Sequence, residues 1–404
     1  MADSRKAPAL IAGGGIGGLA AALALARVGW SSIVAERRDG WSEAGAGIQL
    51  SPNGVRVLAQ FGVAPRLEAL AGKPREIVVR DAATAHVLQR LPLGDWIARR
   101  HGAPYWQVHR RDLQAALLTA ISEEPLISVL HGFDAMALAS DEDNVRLEAR
   151  DGRSIIGSLL VGADGIFSGV RRQLFSPPMP HFSGRTAART VIPASADTPA
   201  NAILSEASTG VWLAPGAHIV HYPVRGGREI AVIVVRSEAW SASSWSEPVT
   251  SGEIERVLRQ VAPAFAMALG KSHSWRRWAL FEAEPLTHWS KGRVTLIGDA
   301  AHPMMPFLAQ GGSLALEDAA TLAACLSPIP DASGIPAALA AYETARRDRC
   351  RRVVSAARRN GLIFHLSGPA AFARNLAMRA LSGERVMAGY DWVYGWRPPA
   401  GIGG

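Results

Sequence analysis

Residues 9–36 have the sequence ALIAGGGIGGLAAALALARVGWSSIVAE, and this stretch decides the fold class. A short apolar run precedes a cluster of glycines, an alanine- and leucine-rich segment follows the cluster, and a second apolar run ends at Glu36. This order predicts a strand, a turn, a helix and a strand within about thirty residues, which is the size of a parallel βαβ unit. The segment is therefore expected to be the first unit of a doubly wound α/β sheet.

The glycines of this unit match a dinucleotide-binding fingerprint. Gly13, Gly15 and Gly18 have the spacing Gly-x-Gly-x-x-Gly, and Glu36 follows Gly15 by 21 residues. The first glycine permits the tight turn, the second lets the backbone approach a pyrophosphate, and the third allows close packing of helix on strand. The helix N-terminus favours phosphate, and Glu36 can accept hydrogen bonds from ribose hydroxyls. The alternative is a glycine-rich turn without a ligand. The predicted cofactor-binding residues here are Gly13, Gly15, Ile16, Gly17, Gly18, Glu36 and Arg37.

Length and composition indicate a globular protein of more than one domain. The 404 residues are 48% hydrophobic and 19% charged, which disfavours disorder and a small disulfide-stapled scaffold. The two cysteines, Cys325 and Cys350, are interpreted as reduced thiols. Glycines interrupt the one long uncharged segment, residues 7–26, so no membrane span is predicted and a cytoplasmic location is expected.

The net charge of +8 is concentrated in one short segment. Residues 346–359 hold seven arginines and a single acid, Asp348. No aromatic residues alternate with these arginines, so nucleic-acid binding is not expected. The run predicts either a solvated helix face or a stripe that faces a second copy in a homodimer.

The middle of the chain has the pattern of a second domain. Apolar runs at residues 77–79, 145–147, 211–213, 219–224 and 230–236 predict strands, and the last two predict an antiparallel hairpin. The predicted fold class is α/β: a Rossmann-like, doubly wound, mostly parallel domain, interrupted by a domain with an antiparallel or mixed sheet and followed by C-terminal helices.

Two further motifs point to a family. Residues 159–171, LLVGADGIFSGVR, resemble the Asp-Gly motif of flavoprotein aromatic hydroxylases, and residues 298–303, GDAAHP, resemble their Gly-Asp motif. With the glycine fingerprint these motifs cover the length of the family in the right order. The chain thus resembles the class A, single-component FAD-dependent aromatic monooxygenases, and is similar to the salicylate, 3-hydroxybenzoate and 6-hydroxynicotinate hydroxylases.

The resemblance implies an FAD site. Residues 45–53, GAGIQLSPN, are similar to the family segment that follows the ribose-binding acid. In residues 109–113, HRRDL, Arg110 matches the arginine that approaches the FAD pyrophosphate; Arg111 is the alternative, and a solvated charge pair is a third interpretation. The further cofactor-binding residues implied are Gly47, Arg110, Asp164, Gly298, Asp299, Ala300, Pro306, Gly311 and Gly312. The implied domains are residues 1–75, 100–180 and 285–335 for FAD, 76–99 and 181–284 for substrate, and 336–404 as a C-terminal helical region.

The resemblance also implies an activity. NADH or NADPH, as a transient reductant, reduces FAD, O2 adds to give a C4a-hydroperoxide, and a small aromatic substrate, a phenolic or hydroxy-heteroaromatic acid, is hydroxylated without a metal. Such reactions belong to the catabolism of aromatic compounds. The alternatives are a reductase or halogenase of the same fold, or a nicotinamide-binding protein without activity. The last would have no use for Asp164 or Asp299.

The predicted catalytic residues are His218, Tyr222, His302 and Pro306. His218 and Tyr222 match a His-x-x-x-Tyr pair of the family, and on a strand residues four apart point to one face, whereas His221 should point to the other. Plain packing is the alternative for both residues. His302 either contacts substrate or braces its loop, and the resemblance places Pro306 beside the flavin C4a atom.

Overall fold

The computed structural model describes residues 7–41, 47–194, 204, 207–241, 244–269 and 274–400. Its strands are β1 (Ala9–Ala12), β2 (Ser32–Ala35), β3 (Gly47–Leu50), β4 (Glu76–Asp81), β5 (Val87–Pro92), β6 (Trp106–His109), β7 (Ile127–Leu130), β8 (Ala135–Ser140), β9 (Val145–Ala149), β10 (Ser154–Gly157), β11 (Leu159–Gly162), β12 (His181–Pro193), β13 (Ser208–Ala214), β14 (Ala217–Val224), β15 (Glu229–Ser237), β16 (Ser246–Val249), β17 (Trp275–Glu282), β18 (Ser290–Lys291) and β19 (Val294–Leu296). Its α-helices are α1 (Ile16–Arg27), α2 (Pro52–Gln60), α3 (Ala64–Glu68), α4 (Gly94–His101), α5 (Arg110–Ser122), α6 (Gly169–Phe175), α7 (Ser251–Val261), α8 (Pro263–Leu269), α9 (Gly311–Leu326), α10 (Ile335–Phe364), α11 (Gly368–Ala380), α12 (Gly383–Ala388) and α13 (Asp391–Tyr394).

The first sheet brings the three sequence motifs together. Its strand order is β18-β19-β11-β1-β2-β7, and all neighbours are parallel except β18 and β19. The carboxyl ends of parallel strands meet at one edge, where open α/β sheets bind ligands. Glu36, Gly13, Asp164 and Asp299 each come one to three residues after the ends of β2, β1, β11 and β19. The predicted βαβ unit is confirmed. The residues of the three motifs lie around one crevice at this edge of the sheet.

Helix α1 is apolar on all sides because protein covers it on all sides. It lies between the first sheet and α9, and its alanines and leucines are buried from Leu19 to Ala26. A Cβ on Gly17 would lie 3.4 Å from the Cβ of Ala315 in α9, so small residues set this close approach. The two helices thereby lie next to the crevice at the sheet edge.

The second sheet is mixed, as the sequence predicts. Its order is β16-β17-β12-β15-β14-β13-β4-β5, with β13 and β4 parallel and the other neighbours antiparallel. The predicted hairpin is confirmed as β14 and β15, whereas predicted strand 145–147 belongs to a separate sheet, β8-β9-β10. One face packs on α7 and α8 around Trp212 and Phe265, and the other faces Met305 and Phe307 of the Gly-Asp loop. The domain boundaries stay a prediction.

The chain ends in helices, as expected for residues 336–381. Helix α10 has 30 residues and packs along α9, and α11 follows it. Within the described ranges, no helix has both the length and the apolar character that crossing a bilayer requires.

Candidate active site

The glycine turn leaves room for a phosphate. Gly13 has a φ of +108°, and a Cβ there would lie 2.6 Å from the carbonyl oxygen of Ala163, so no other residue fits. A Cβ on Gly18 would overlap the carbonyl oxygen of Gly13. A Cβ on Gly15, in contrast, would meet no atom within 4 Å, so the space in front of it is open at the N-terminus of α1. This is the geometry that a pyrophosphate requires.

Glu36 lies against this turn. Its Oε2 accepts a hydrogen bond of 2.9 Å from the Gly14 N–H, and its Oε1 accepts one of 3.0 Å from the Arg38 N–H. A carboxylate has about four acceptor positions, so both oxygens can still accept from a ribose hydroxyl. Of the two other residues predicted here, Ile16 is buried and Arg37 is exposed.

The Asp-Gly segment is tied to the Gly-Asp loop. Asp164 Oδ2 accepts from the Val170 N–H at 3.2 Å, while its buried Oδ1 has no hydrogen-bond partner among the described residues. Desolvation raises the pKa of this carboxyl. The buried Arg171 guanidinium donates to the Ala300 carbonyl at 3.3 Å and to the Glu284 carbonyl. The two loops are therefore held side by side.

Asp299 and the start of α9 close the crevice. The Asp299 side chain is accessible from the cleft, and a Cβ on Gly311 would lie 3.9 Å from its Oδ1. A Cβ on Gly312 would lie 2.7 Å from Ile48, so the helix start approaches β3 closely. Desolvation by the surrounding protein raises the pKa of Asp299, and the positive charges of His302 and Arg110 partly offset this rise. Gly298, which has a φ of +56°, and Ala300 lie in the same 3₁₀ turn as Asp299, and Gly47 begins β3.

The His218–Tyr222 pair occupies the face of the second sheet that covers these loops. His218 Nδ1 lies 2.9 Å from His365 Nε2, and the His218 ring contacts Phe307 at 5.5 Å between centroids. Tyr222 is buried beside Gly47, where a Cβ would lie 2.8 Å from its hydroxyl. The opposite face holds His221, packed on Phe265 in the α7–α8 layer. The predicted division of the strand into two faces is confirmed.

Burial sets the protonation states of this pair. Desolvation, together with the charges of His365 and Arg185, holds the pKa of His218 well below its usual value. Desolvation also lowers the pKa of His365 to about 4 and raises the pKa of Tyr222 above its usual value. At neutral pH both imidazoles are therefore neutral, and the tyrosine is a protonated hydrogen-bond donor.

His302 and Pro306 take different positions. Buried His302 lies 2.6 Å, through Nε2, from Asp318 Oδ2, which also accepts from the Gly298 N–H at 2.9 Å. Burial disfavours the charged imidazole, but Cys350 and Asp318 raise its pKa well above the usual value. This geometry favours the bracing role. Pro306 is exposed at the start of a 3₁₀ turn, Pro306–Leu308, directly before Phe307, which contacts His218.

The arginine run is partly buried, which corrects one expectation. Arg346 NH1 lies 2.6 Å from Glu317 and its Nε 2.8 Å from Asp318, and Arg349 binds Glu317 at 2.6 Å. Arg351, in contrast, is exposed. The expectation of a solvated helix face is wrong for Arg346 and Arg349, because the acids that pair with them lie on α9, about thirty residues earlier in the chain. The alternative of a stripe that faces a second copy stays a prediction.

One of these acids, Glu317, also contacts the segment that follows β3. Asn53 donates to Glu317 Oε1 at 2.6 Å and to Gln310 Oε1 at 3.0 Å, and Gln310 donates to Ser51 at 2.8 Å. Gln310 directly precedes α9. The buried network therefore fixes the N-terminus of α9 relative to the β3 segment.

Three residues near the site escaped the sequence interpretation. His365 lies 147 residues from its partner His218, so no local pattern indicates it. Arg185 and Arg189 lie on β12, and their spacing of four within a strand is a signal that could have placed them on one face.

The fold and this crevice define a dinucleotide-binding protein with a second sheet covering the cofactor edge. Residues 6–357 match the family described as FAD binding domain. The 3-hydroxybenzoate 6-hydroxylase of Polaromonas naphthalenivorans (strain CJ2) is 35% identical over 393 residues, 96% of either chain. The 6-hydroxynicotinate 3-monooxygenase of Pseudomonas fluorescens is 32% identical, covering 85% of this chain and 88% of that protein. The structure of Klebsiella pneumoniae HpxO complexed with FAD and uric acid has a TM-score of 0.84 and 26% identity, covering 95% of both chains.

The chain belongs to this FAD-binding family and is an FAD-dependent aromatic monooxygenase. The resemblance, the fold class and the FAD cofactor predicted from the sequence are confirmed. The roles of individual residues stay predictions, which the following two sets of variants test.

Glu36→Ala and Asp299→Ala are each expected to weaken FAD binding about tenfold or more, because each removes charge-assisted hydrogen bonds worth about 1.5–3 kcal/mol. The measurement is the FAD content of protein equilibrated with limiting FAD. The control is Glu68→Ala, which removes an exposed acid of α3. Undiminished FAD content in both variants would contradict their assignment to the cofactor.

Arg110→Ala is expected to release FAD more readily than Arg111→Ala. Arg110 is exposed at the start of α5, near enough to Asp299 to affect its pKa, while the Arg111 N–H binds His109 Nδ1 at 3.3 Å. A planar guanidinium facing a pyrophosphate has no good substitute. Rates of FAD release on dilution compare the two variants, and the reverse ranking would transfer the role to Arg111.

Proposed function

We propose that the chain hydroxylates a small aromatic acid that carries a ring hydroxyl, using NADH or NADPH and O2. The observation that carries the proposal is the buried, neutral His218–His365 pair. It lies on the face of the second sheet that covers the Gly-Asp loop. Relatives of the chain are named for hydroxybenzoate and hydroxynicotinate substrates, which have this chemistry. A cytoplasmic location and a homodimer remain predictions from the sequence.

The residues of the crevice fit FAD. Glu36 would hold the adenosine ribose, Arg110 and the α1 N-terminus the pyrophosphate, and Asp299 the ribityl chain. When bound, FAD accepts a hydride from the nicotinamide and supplies the activated oxygen atom. The N-terminus of α9 at Gly311 would favour negative charge on a flavin bound in front of it, because the unpaired backbone N–H groups of a helix start carry partial positive charge.

The second sheet supplies the proton chemistry. His218 Nδ1 faces His365, so its Nε2 is the nitrogen that can accept the proton of a substrate hydroxyl. The Nδ1–H of His218 would then donate to His365 Nε2, and this hydrogen bond stabilises the positive charge that forms on the His218 ring beside the substrate anion. Removing the phenolic proton makes the ring more electron-rich and more reactive toward the oxygen atom. Tyr222 keeps its proton and can donate a hydrogen bond to the substrate.

A panel of substrates tests the proposal. Hydroxybenzoates and hydroxypyridine carboxylates are mixed with the FAD-loaded protein, NADH or NADPH, and oxygen. We expect at least one compound to accelerate nicotinamide oxidation and to gain one oxygen atom by mass spectrometry. Oxidation that yields only hydrogen peroxide with every compound, or a reduced or halogenated product, would contradict it.

A further inference from the structure

Two arginines of β12 face the same side of the second sheet as His218. Arg185 and Arg189 are four residues apart on one strand, so their side chains share a face. The Arg185 guanidinium carbon lies 5.7 Å from the centre of the Phe307 ring, and that of Arg189 lies 5.1 Å from the centre of the Trp278 ring. Both positive charges therefore line the region between the second sheet and the flavin loops.

Neither arginine has an acidic partner within the described ranges of the chain. The Nε atoms of Arg185 and Arg189 are buried without a hydrogen-bond partner there, although Arg346 and Arg349 are both paired with acids. Desolvation lowers the pKa of Arg189. A desolvated positive charge is costly unless an anion accompanies it. The arrangement is therefore that of a site completed by an anionic ligand.

The strand register puts Arg189 across from the His218–Tyr222 pair. Arg189 is paired with Ile233 of β15, and Ile233 is paired with Val220 of β14, midway between His218 and Tyr222. Two strand spacings separate Arg189 from Val220, about 10 Å between backbones. A ligand that lies over this face of the sheet could therefore contact Arg189 at one end and the His218–Tyr222 pair at the other.

We propose that Arg189 is the carboxylate anchor of the substrate site, a role that rests on the proposed function. Its guanidinium binds the carboxylate of an aromatic acid, with the ring hydroxyl at His218. The planar fork of arginine matches a carboxylate with two parallel hydrogen bonds, and stacking on Trp278 orients that fork. The substrate class is therefore aromatic acids and not neutral phenols. Arg185, closer to His218 and His365, instead helps to keep His218 neutral.

Binding of a matched pair of probes tests this anchor. Dissociation constants of 3-hydroxybenzoate and 3-hydroxybenzamide are measured with the FAD-loaded protein by equilibrium dialysis. We expect Arg189→Gln to weaken binding of the benzoate about tenfold or more and that of the benzamide less than about twofold. Arg189→Lys, which keeps the charge without the fork, should fall between the wild type and Arg189→Gln for the benzoate.

Arg276→Gln is the control. Arg276 is the register partner of Arg189 on β17, but it is exposed and donates to Ser246 Oγ at 3.1 Å, so its loss should leave both constants within about twofold. Equal weakening of both probes in Arg189→Gln, or a wild type that does not prefer the benzoate, would overturn the proposal. Failure of the proposed function alone would differ: the benzoate would bind in an Arg189-dependent way, but no compound of the panel would be hydroxylated.

Discussion

Replacement of His218 by alanine is expected to lower the rate of hydroxylation by about 10²-fold or more, which is the usual contribution of a positioned general base. The variant should still bind FAD and still be reduced by NADH or NADPH, because His218 lies on β14 of the second sheet and not in the loops that carry the three motifs. The substrate ring is then not activated by deprotonation and should not take up the oxygen atom. Oxygen consumption should therefore continue, with release of hydrogen peroxide. The decisive measurement is product formed per nicotinamide oxidised.

His221→Ala is the matched control for this prediction. His221 is a buried histidine of the same strand, but it faces Phe265 on the opposite side of the sheet. Its loss should reduce stability while leaving the coupling ratio of the folded enzyme unchanged. If His218→Ala behaves in the same way, with lower FAD content and intact coupling, then His218 has only a structural role.

The second large effect is on stability. Arg346→Met is expected to lower the free energy of unfolding by about 3–5 kcal/mol, because removal of one partner leaves buried carboxylates short of positive charge. Its two contacts, to Glu317 and Asp318, are fully buried. Urea denaturation of the FAD-loaded protein measures the change.

Arg351→Met gives the comparison on the same helix. Arg351 is exposed and lies 4.0 Å from Asp348, so its loss should change stability by less than about 1 kcal/mol. An Arg346→Met variant as stable as Arg351→Met would show that the buried network contributes little. The pair of variants thus separates buried from solvated members of one arginine run.

The cofactor side of the fold could be predicted from the sequence because its signals are local. Gly13, Asp164 and Asp299 each follow an apolar strand directly, and parallel pairing then brings them to one edge. The hairpin strand β14 could be predicted for the same reason, since alternation within eight residues determines which side chains share a face.

The substrate side could be predicted only in part, because its remaining contacts are long-range. Nothing near Arg346 in the sequence indicates that its acids lie on α9, and counting charges within residues 346–359 suggests solvation instead. Likewise, the neighbours of the Arg189 side chain lie on strands that come thirty to forty residues later, so no local pattern predicts its surroundings. Charge partners that are distant in sequence are visible only after the chain is folded.

The docking of α10 completes contacts on both sides of the crevice. All three sequence motifs precede α10 in the chain, yet Glu317 and Asp318 of α9 pair with the buried Arg346 of that helix. The last turn of α10 also brings Phe364 and, next to it, His365 to His218. A chain that ends before residue 335 therefore contains all three motifs but lacks both the arginines that pair with α9 and the histidine that contacts His218. Completion of the two sides of the crevice thus depends on a single helix that is made after every motif.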